Sequence, residues 1–274
     1  KVINKMVTED DLIDTVATAF GNGWRTVKLY FMCGLPTETD EDVLAIADMA
    51  ARVIETGRQA AGTRDIRCTV SIGGFVPKAH TPFQWAAQAS ADTIDHRLQA
   101  LREEIRADKK YGRAIGMRYH DGRPGIIEGL LSRGDRRVGA VIEACWRAGG
   151  MFDGWSEHFD YDRWVSACET GLAGTGVDLD WYTTRERPRD EVLPWDHLDA
   201  GLDRDWLWED WQEALDERPV EDCRWTPCYD CGVCPQMDTQ IQIGPTGRTL
   251  LPLTVVKPDL STGQSPATKP STAA

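Results

Sequence analysis

"TVKLYFMCGLPTETDEDV", residues 26–43, opens on an apolar run and closes on an acidic helix start. Residues 26–32 read as a short strand buried on both faces, since the run is apolar and too short for a helix. Gly34 and Pro36 then break the chain, and Thr37 or Thr39 stands where it can cap the next element. Beyond them, Val43, Ile46, Ala47, Ala50 and Ile54 recur at helical spacing behind an acidic first turn that suits the helix dipole.

The neighbouring segments extend this reading. In "VTEDDLIDTVATAFGNG", Thr8 and Asp11 have capping-box spacing, Leu12, Val16 and Phe20 form a stripe, and Gly21 and Gly23 stop the helix. In "IRCTVSIGGFV", Cys68, Val70 and Ile72 alternate with Thr69, Ser71 and Gly73, which predicts a second strand. Helix, strand, helix, strand at this spacing means parallel strands joined by crossover helices, hence an α/β fold. Two strands make only part of a sheet or barrel.

From about residue 90 the pattern becomes helical. Ile94, Leu98, Leu101 and Ile105 repeat at helical intervals, and "PGIIEGLLSRG" has proline at a helix start. "DRRVGAVIEACWRAGG" begins with an aspartate cap, and "YDRWVSACETG" and "DRDWLWEDWQEALDE" predict two more helices. Eleven tryptophans, most of them between Trp146 and Trp225, read as large anchors for a thin helical core. The expected organisation is an α/β part over residues 1–88, a helical extension over 89–220, a Cys-rich loop over 221–236 and a tail over 237–274. The tail is of low complexity, and disorder is expected from about Ser261.

The formal net charge of −13 argues against phosphate-driven binding to bulk nucleic acid. No run of about 18 apolar residues is present, so no membrane span is expected, and no secretory signal opens the chain. A cytoplasmic location is the resulting expectation. The chain begins with Lys1 in what reads as the approach to a helix, so it is expected to be a piece of a longer protein.

Eight cysteines fall into two groups. Cys33, Cys68, Cys145 and Cys168 lie in apolar segments and read as small core residues. Cys223, Cys228, Cys231 and Cys234 stand in "CRWTPCYDCGVC" as C-x4-C-x2-C-x2-C. Nothing suggests the oxidising compartment a disulfide framework needs, so the four read as metal ligands whose sulfurs converge. Structural zinc usually takes two separate C-x-x-C pairs, whereas here Cys231 belongs to both. That overlap favours an iron–sulfur cluster over zinc, with zinc as the alternative. A site that only staples a loop is the plainer reading of either metal.

Ligands of parallel α/β sheets bind beyond the carboxyl ends of the strands. After the first strand comes "CGLPTET", and after the second "GGFVPKAHTPFQW", where Gly73 and Gly74 expose backbone. Backbone bared by glycine beside an apolar strand end suits a flat ring such as adenine.

"LYFMCGLPTETDEDV" resembles the fifth strand, loop and helix of radical S-adenosylmethionine (SAM) enzymes with a "GLPGET"-type turn, and "FVPKAHTPFQW" resembles their sixth strand. With "RGDRRVGAVIEA", "FDGWSEHFD", "LPWD" and "CRWTPCYDCGVC" following in order, residues 1–236 resemble the B12-binding-domain radical SAM proteins of unassigned substrate. The resemblance implies the C-terminal part of a partial (β/α) radical SAM barrel, then a helical extension with a Cys-rich metal loop. It implies SAM and a 4Fe–4S cluster as cofactors, with cobalamin in a full-length protein. It places the SAM adenine against Met32 and Gly34 on one strand and Phe75 and Val76 on the other. The family's C-x3-C-x2-C, which holds the catalytic cluster, is absent here, so this chain alone is expected to be inactive. Its expected partners are an unknown substrate and the missing N-terminal part of the same protein. The family's loop pattern G-x-I-x-G-x-x-E is also altered: Tyr30 replaces its first glycine and Thr37 its acid, with Glu38 one place late.

Other signals are weaker. Arg133, Gly134 and Asp135 spell an adhesion motif for which an acidic cytosolic protein has no use. His80, His120 and His158 lack helical-spacing partners and read as hydrogen-bonding loop residues. His158, in the aromatic "WSEHF", is the one candidate substrate-pocket histidine. Besides the radical SAM enzyme, two readings stay open. One is a non-catalytic zinc-stapled scaffold or interaction module. The other is an RNA-modifying, methylthiotransferase-like radical SAM enzyme, whose expected basic RNA-binding module is not found here.

Overall fold

The computed structural model describes residues 2–5, 7–119, 121–220, 222–223, 228 and 230–239. His120 and the tail segment from Ser261 lie outside the described residues.

Helix α1 (Glu9–Gly21) starts on the expected capping box: Thr8 accepts the Asp11 amide while Asp11 takes the Thr8 amide. Strand β1 (Thr26–Cys33) leads through the Gly34 loop to α2 (Asp40–Ala61). Of the two candidate caps, Thr39 serves, in a second capping box with Asp42. Thr37 instead takes a positive φ of 66° in the loop. Strand β2 (Arg67–Gly74) pairs parallel with β1 from Thr26↔Arg67 to Cys33↔Gly74. This is the parallel α/β arrangement expected from sequence.

After one 3-10 turn (Pro82–Trp85) comes α3 (Ala91–Ala107), and then a strand that sequence reasoning missed. Strand β3 (Ile115–Tyr119) pairs parallel with β2, from Cys68↔Ile115 to Ile72↔Tyr119, giving the order β1-β2-β3. The sheet therefore runs on past residue 88, and α3 with β3 belongs to its core rather than to a purely helical extension. β3 also lies one strand beyond the last that the radical SAM resemblance accounts for.

Helices α4 (Gly122–Arg133), α5 (Val138–Arg147), α6 (Tyr161–Gly171), α7 (Leu179–Tyr182), α8 (Arg204–Leu215) and α9 (Val233–Gln236) follow. Asp135 is not the cap of α5. That helix begins at Val138, and Asp135 takes the Arg137 amide at 2.9 Å and the Tyr182 hydroxyl at 3.0 Å.

Three apolar cores hold the described residues together. One joins α1, α2 and α3 to one face of the sheet. The second lies among α4, α5, α6 and Tyr182. The third gathers Trp85, Leu193, Trp195, Leu207 and Trp211. Trp85, Trp164, Trp195 and Trp211 are the buried anchors expected, whereas Trp146 and Trp155 stand exposed. Cys33, Cys68, Cys145 and Cys168 are buried, as core cysteines should be.

β1 departs from its sequence reading. It is not buried on both faces: Leu29 and Cys33 are buried, while Lys28, Tyr30 and Met32 are exposed. The helices cover one face only, so every second residue of an apolar run faces outward.

Candidate functional site

The parallel register lines up the uncovered face row by row. Lys28 stands beside Thr69 and Gly116, Tyr30 beside Ser71 and Arg118, and Met32 beside Gly73. The Lys28 ammonium lies 4.6 Å from the centre of the Tyr30 ring. Tyr30 is 71% exposed, a high value for a central position of a parallel strand. Lys28, Ser71, Met117 and Arg118 line a concavity of about 540 Å3 over β1, β2 and β3. This face is polar and cationic in a chain of net charge −13.

The strand ends meet this face. At Gly73 and Gly74 a Cβ would find nothing within 4 Å, so the backbone there is open to a flat group. Gly34 is different. It has a φ of +90°, and a Cβ would come 2.6 Å from Ile94 Cδ1, so its missing side chain makes room for α3 rather than for a ligand. Met32 is 41% exposed beside Gly73, whereas Val76 is buried. Phe75 extends the ladder by donating its amide to Cys33 at 2.8 Å, and its ring packs edge-on against Phe83, 5.3 Å between centroids. Met32 and Gly73 thus share the uncovered face at the strand ends, with Gly74 and Phe75 next along the chain.

Glu38, one place late against the family pattern, is not free to hold a ligand. Its carboxylate accepts the Gly34 amide at 2.7 Å and Arg97 Nη1 at 2.8 Å. This contact spans 59 residues, and no local pattern signals it. The loop after β2 is held from beneath by Arg133, which is 0% exposed and donates to the carbonyls of Ala86 at 2.8 Å and Thr183 at 3.0 Å. An arginine so enclosed cannot present an adhesion motif. Arg187, also buried, donates from Nη2 to the Tyr182 carbonyl at 3.2 Å and, more weakly, to that of Arg133 at 3.4 Å.

The Cys-rich loop has local order at the described residues. The Cys228 sulfur accepts the Asp230 amide at 3.3 Å, and amide-to-sulfur bonds are of the kind that tune a metal-bound thiolate. Asp230 and Gly232 both have positive φ, which turns the chain tightly between the cysteines. The Cys231 carbonyl accepts the Asp203 amide at 2.9 Å, tying the loop to the start of α8. The expected convergence of sulfurs is not seen: among the described residues no three His, Cys, Asp or Glu side chains come together as a metal-holding group. His80 lies in the loop after β2 with a φ of 55° and donates its amide to Gln84. His158 is exposed, its ring 6.0 Å from that of Phe152.

No protein-family model matches the chain, and no solved structure matches it. The chain is similar to an uncharacterized protein of Methanocaldococcus jannaschii, 28% identical over 143 residues. The match takes in 52% of this chain and 28% of that protein, so this chain spans little more than a quarter of its relative. No described helix is long and apolar enough to cross a membrane.

Proposed function

We propose that this chain is the C-terminal portion of a radical SAM iron–sulfur enzyme and that the uncovered face of its sheet looks into the barrel. The observation that carries the reading is that face itself. Parallel sheets in α/β proteins have both faces covered, by helices outside and by packed strands or ligand within a barrel. Here helices cover one face, and the other carries Lys28, Tyr30, Ser71 and Arg118. The open backbone at Gly73 and Gly74 lies at the carboxyl ends, where such folds bind ligands. The longer relative accords with a larger whole.

In this reading Met32, Gly73 and Phe75 would flank the SAM adenine, and Gly34 and Glu38 would shape the loop rather than touch the cofactor. A bound SAM with a reduced 4Fe–4S cluster would supply one-electron, hydrogen-abstracting chemistry, the cluster giving up the electron and methionine leaving. The residues of this chain position and enclose. The substrate and any cobalamin would sit with the part of the protein that precedes β1. Cys223, Cys228, Cys231 and Cys234 would hold an auxiliary iron–sulfur cluster or zinc.

A second reading has one observation in its favour. The bond from Asp203 to the Cys231 carbonyl docks the Cys-rich loop on α8, which suits a zinc-stapled scaffold. The DNA upstream of Lys1 separates the two. An in-frame C-x3-C-x2-C supports the enzyme, and an in-frame stop codon without it supports the scaffold. Calorimetry of this chain with SAM is the second arm. Because the cluster that would hold the methionine end of SAM has no C-x3-C-x2-C here, this chain alone should bind SAM weakly or not at all, and micromolar affinity would overturn that.

A further inference from the structure

A second concavity lies between α4 and residues 153–164, with none of its lining residues on the sheet. It holds about 500 Å3, the size of a small-molecule site. Ile127, Leu131, Phe159 and Trp164 give it apolar walls, and Lys78 and Glu128 pair with each other at its rim.

Two polar groups that line this cleft have no partner. Trp164 is only 6% exposed, and its indole N–H makes no hydrogen bond. Asp153 Oδ1 is likewise buried and unpartnered. Buried polar atoms are rarely left this way, because each has given up water for nothing. Nearby cations do not relieve Asp153: Arg163 pairs with Asp160 at 3.3 Å, and Lys78 pairs with Glu128. The residues flanking Asp153 in sequence are apolar and exposed. Met151, Phe152 and Trp155 are 57%, 69% and 64% exposed, a cluster that isolated surface residues do not explain. Phe152 also has a φ of 60°, a conformation that bulky residues rarely adopt.

We propose that this cleft binds a small organic ammonium compound with an apolar body and a carbonyl-type oxygen. The ammonium would donate to Asp153, the oxygen would accept the Trp164 N–H, and the apolar body would cover Ile127, Leu131 and Phe159. An anionic ligand is disfavoured, since Asp153 and Glu128 both lie at the cleft and the chain carries −13 overall. The inference goes beyond the radical SAM reading and does not depend on it.

Phenylalaninamide is a suitable probe at about pH 6, where its α-ammonium is charged. 3-Phenylpropanamide keeps the ring and the carbonyl but lacks the ammonium. Binding is followed by NMR of the tryptophan indole N–H signals in the full chain, with Trp164 assigned through Trp164→Phe. Phenylalaninamide should shift the Trp164 signal with a Kd of about 1 mM or tighter, and 3-phenylpropanamide should bind at least about tenfold more weakly. Asp153→Asn should erase that difference by weakening phenylalaninamide alone. No saturable shift at Trp164, equal affinity for the two probes, or an unchanged preference in Asp153→Asn would each overturn the proposal. If Asp153→Asn fails to fold, the two probes on the unaltered chain still decide the matter.

Discussion

The Glu38 carboxylate accepts the backbone amide of Gly34 at 2.7 Å, which folds the acid back onto the loop that leaves β1. The same oxygen takes Arg97 Nη1 at 2.8 Å, and Arg97 Nη2 donates to the Glu38 carbonyl at 2.8 Å. Arg97 also reaches Asp40 at 2.9 Å, so α3 is tied to the start of α2. The Glu38 and Arg97 side chains are 8% and 14% exposed, so removing either leaves the other poorly solvated. Glu38→Ala should cost about 3 kcal/mol of stability in urea unfolding, far more than an exposed pair. A loss below about 0.5 kcal/mol would show that the loop does not rely on this acid.

Gly57 reverses the usual expectation for a helix glycine. In an exposed helix, glycine to alanine stabilises by roughly 0.5–1 kcal/mol. In α2 a Cβ at Gly57 would meet Phe20 at 2.6 Å and Ile66 at 2.9 Å. The gap is what lets α1 pack on α2 over the start of β2. Gly57→Ala should therefore destabilise by about 1–3 kcal/mol, as overpacked cores do. A variant at least as stable as the parent would contradict this packing.

The parts of the fold that follow a local period are the parts the sequence reveals. Thr8 with Asp11, the α2 stripe and the Cys68–Ile72 alternation each need only a few adjacent residues, and each is found as read. β3 escaped because Gly116 and Arg118 break its apolar run and only five residues form it. The open face of β1 escaped for a different reason. Tyr30 and Met32 are apolar enough to read as core, and only the placement of the helices shows which side is covered. Long-range contacts such as Glu38 with Arg97, or Asp203 with Cys231, have no local signature at all.

The eight thiols should separate cleanly by reactivity. Burial pushes Cys33 and Cys68 up to about 12 and Cys168 up to about 11, with the charge of Glu38 adding to the effect at Cys33. Burial also raises Cys145. At neutral pH these four stay protonated and enclosed, so a disulfide reagent should titrate about four thiols in the native metal-free protein and eight in denaturant. The shifts also set a pH dependence. Unfolded thiols ionise near 8.5–9, while the buried ones hold their protons to about 11 or 12. Above about pH 9 the folded state binds more protons than the unfolded state, so stability falls as pH rises. Each fully buried thiol adds up to about 1.4 kcal/mol per pH unit to that fall. Cys68→Ala should flatten the loss between about pH 9 and 11, read as denaturation midpoints across that range. An unaltered slope would mean that Cys68 does not keep its proton.

The last prediction concerns the metal. In C-x4-C-x2-C-x2-C, Cys223 and Cys234 stand at the ends, and of the two inner cysteines Cys231 alone belongs to both C-x2-C pairs. The bond from Asp203 to the Cys231 carbonyl ties the backbone of this residue to the start of α8. Zinc would gather the four sulfurs at about 2.3 Å from one ion and leave the protein colourless. A 4Fe–4S cluster would hold them around a larger core, and anaerobic loading with iron and sulfide would give a brown protein with broad visible absorption. Either metal should protect the four reactive thiols from a disulfide reagent, and a chelator should restore their reactivity. Cys231→Ser should lose the metal under the conditions in which the parent holds it, with native helix content in α1 to α8 by circular dichroism. Metal analysis showing full occupancy in Cys231→Ser would establish that Cys231 is no ligand.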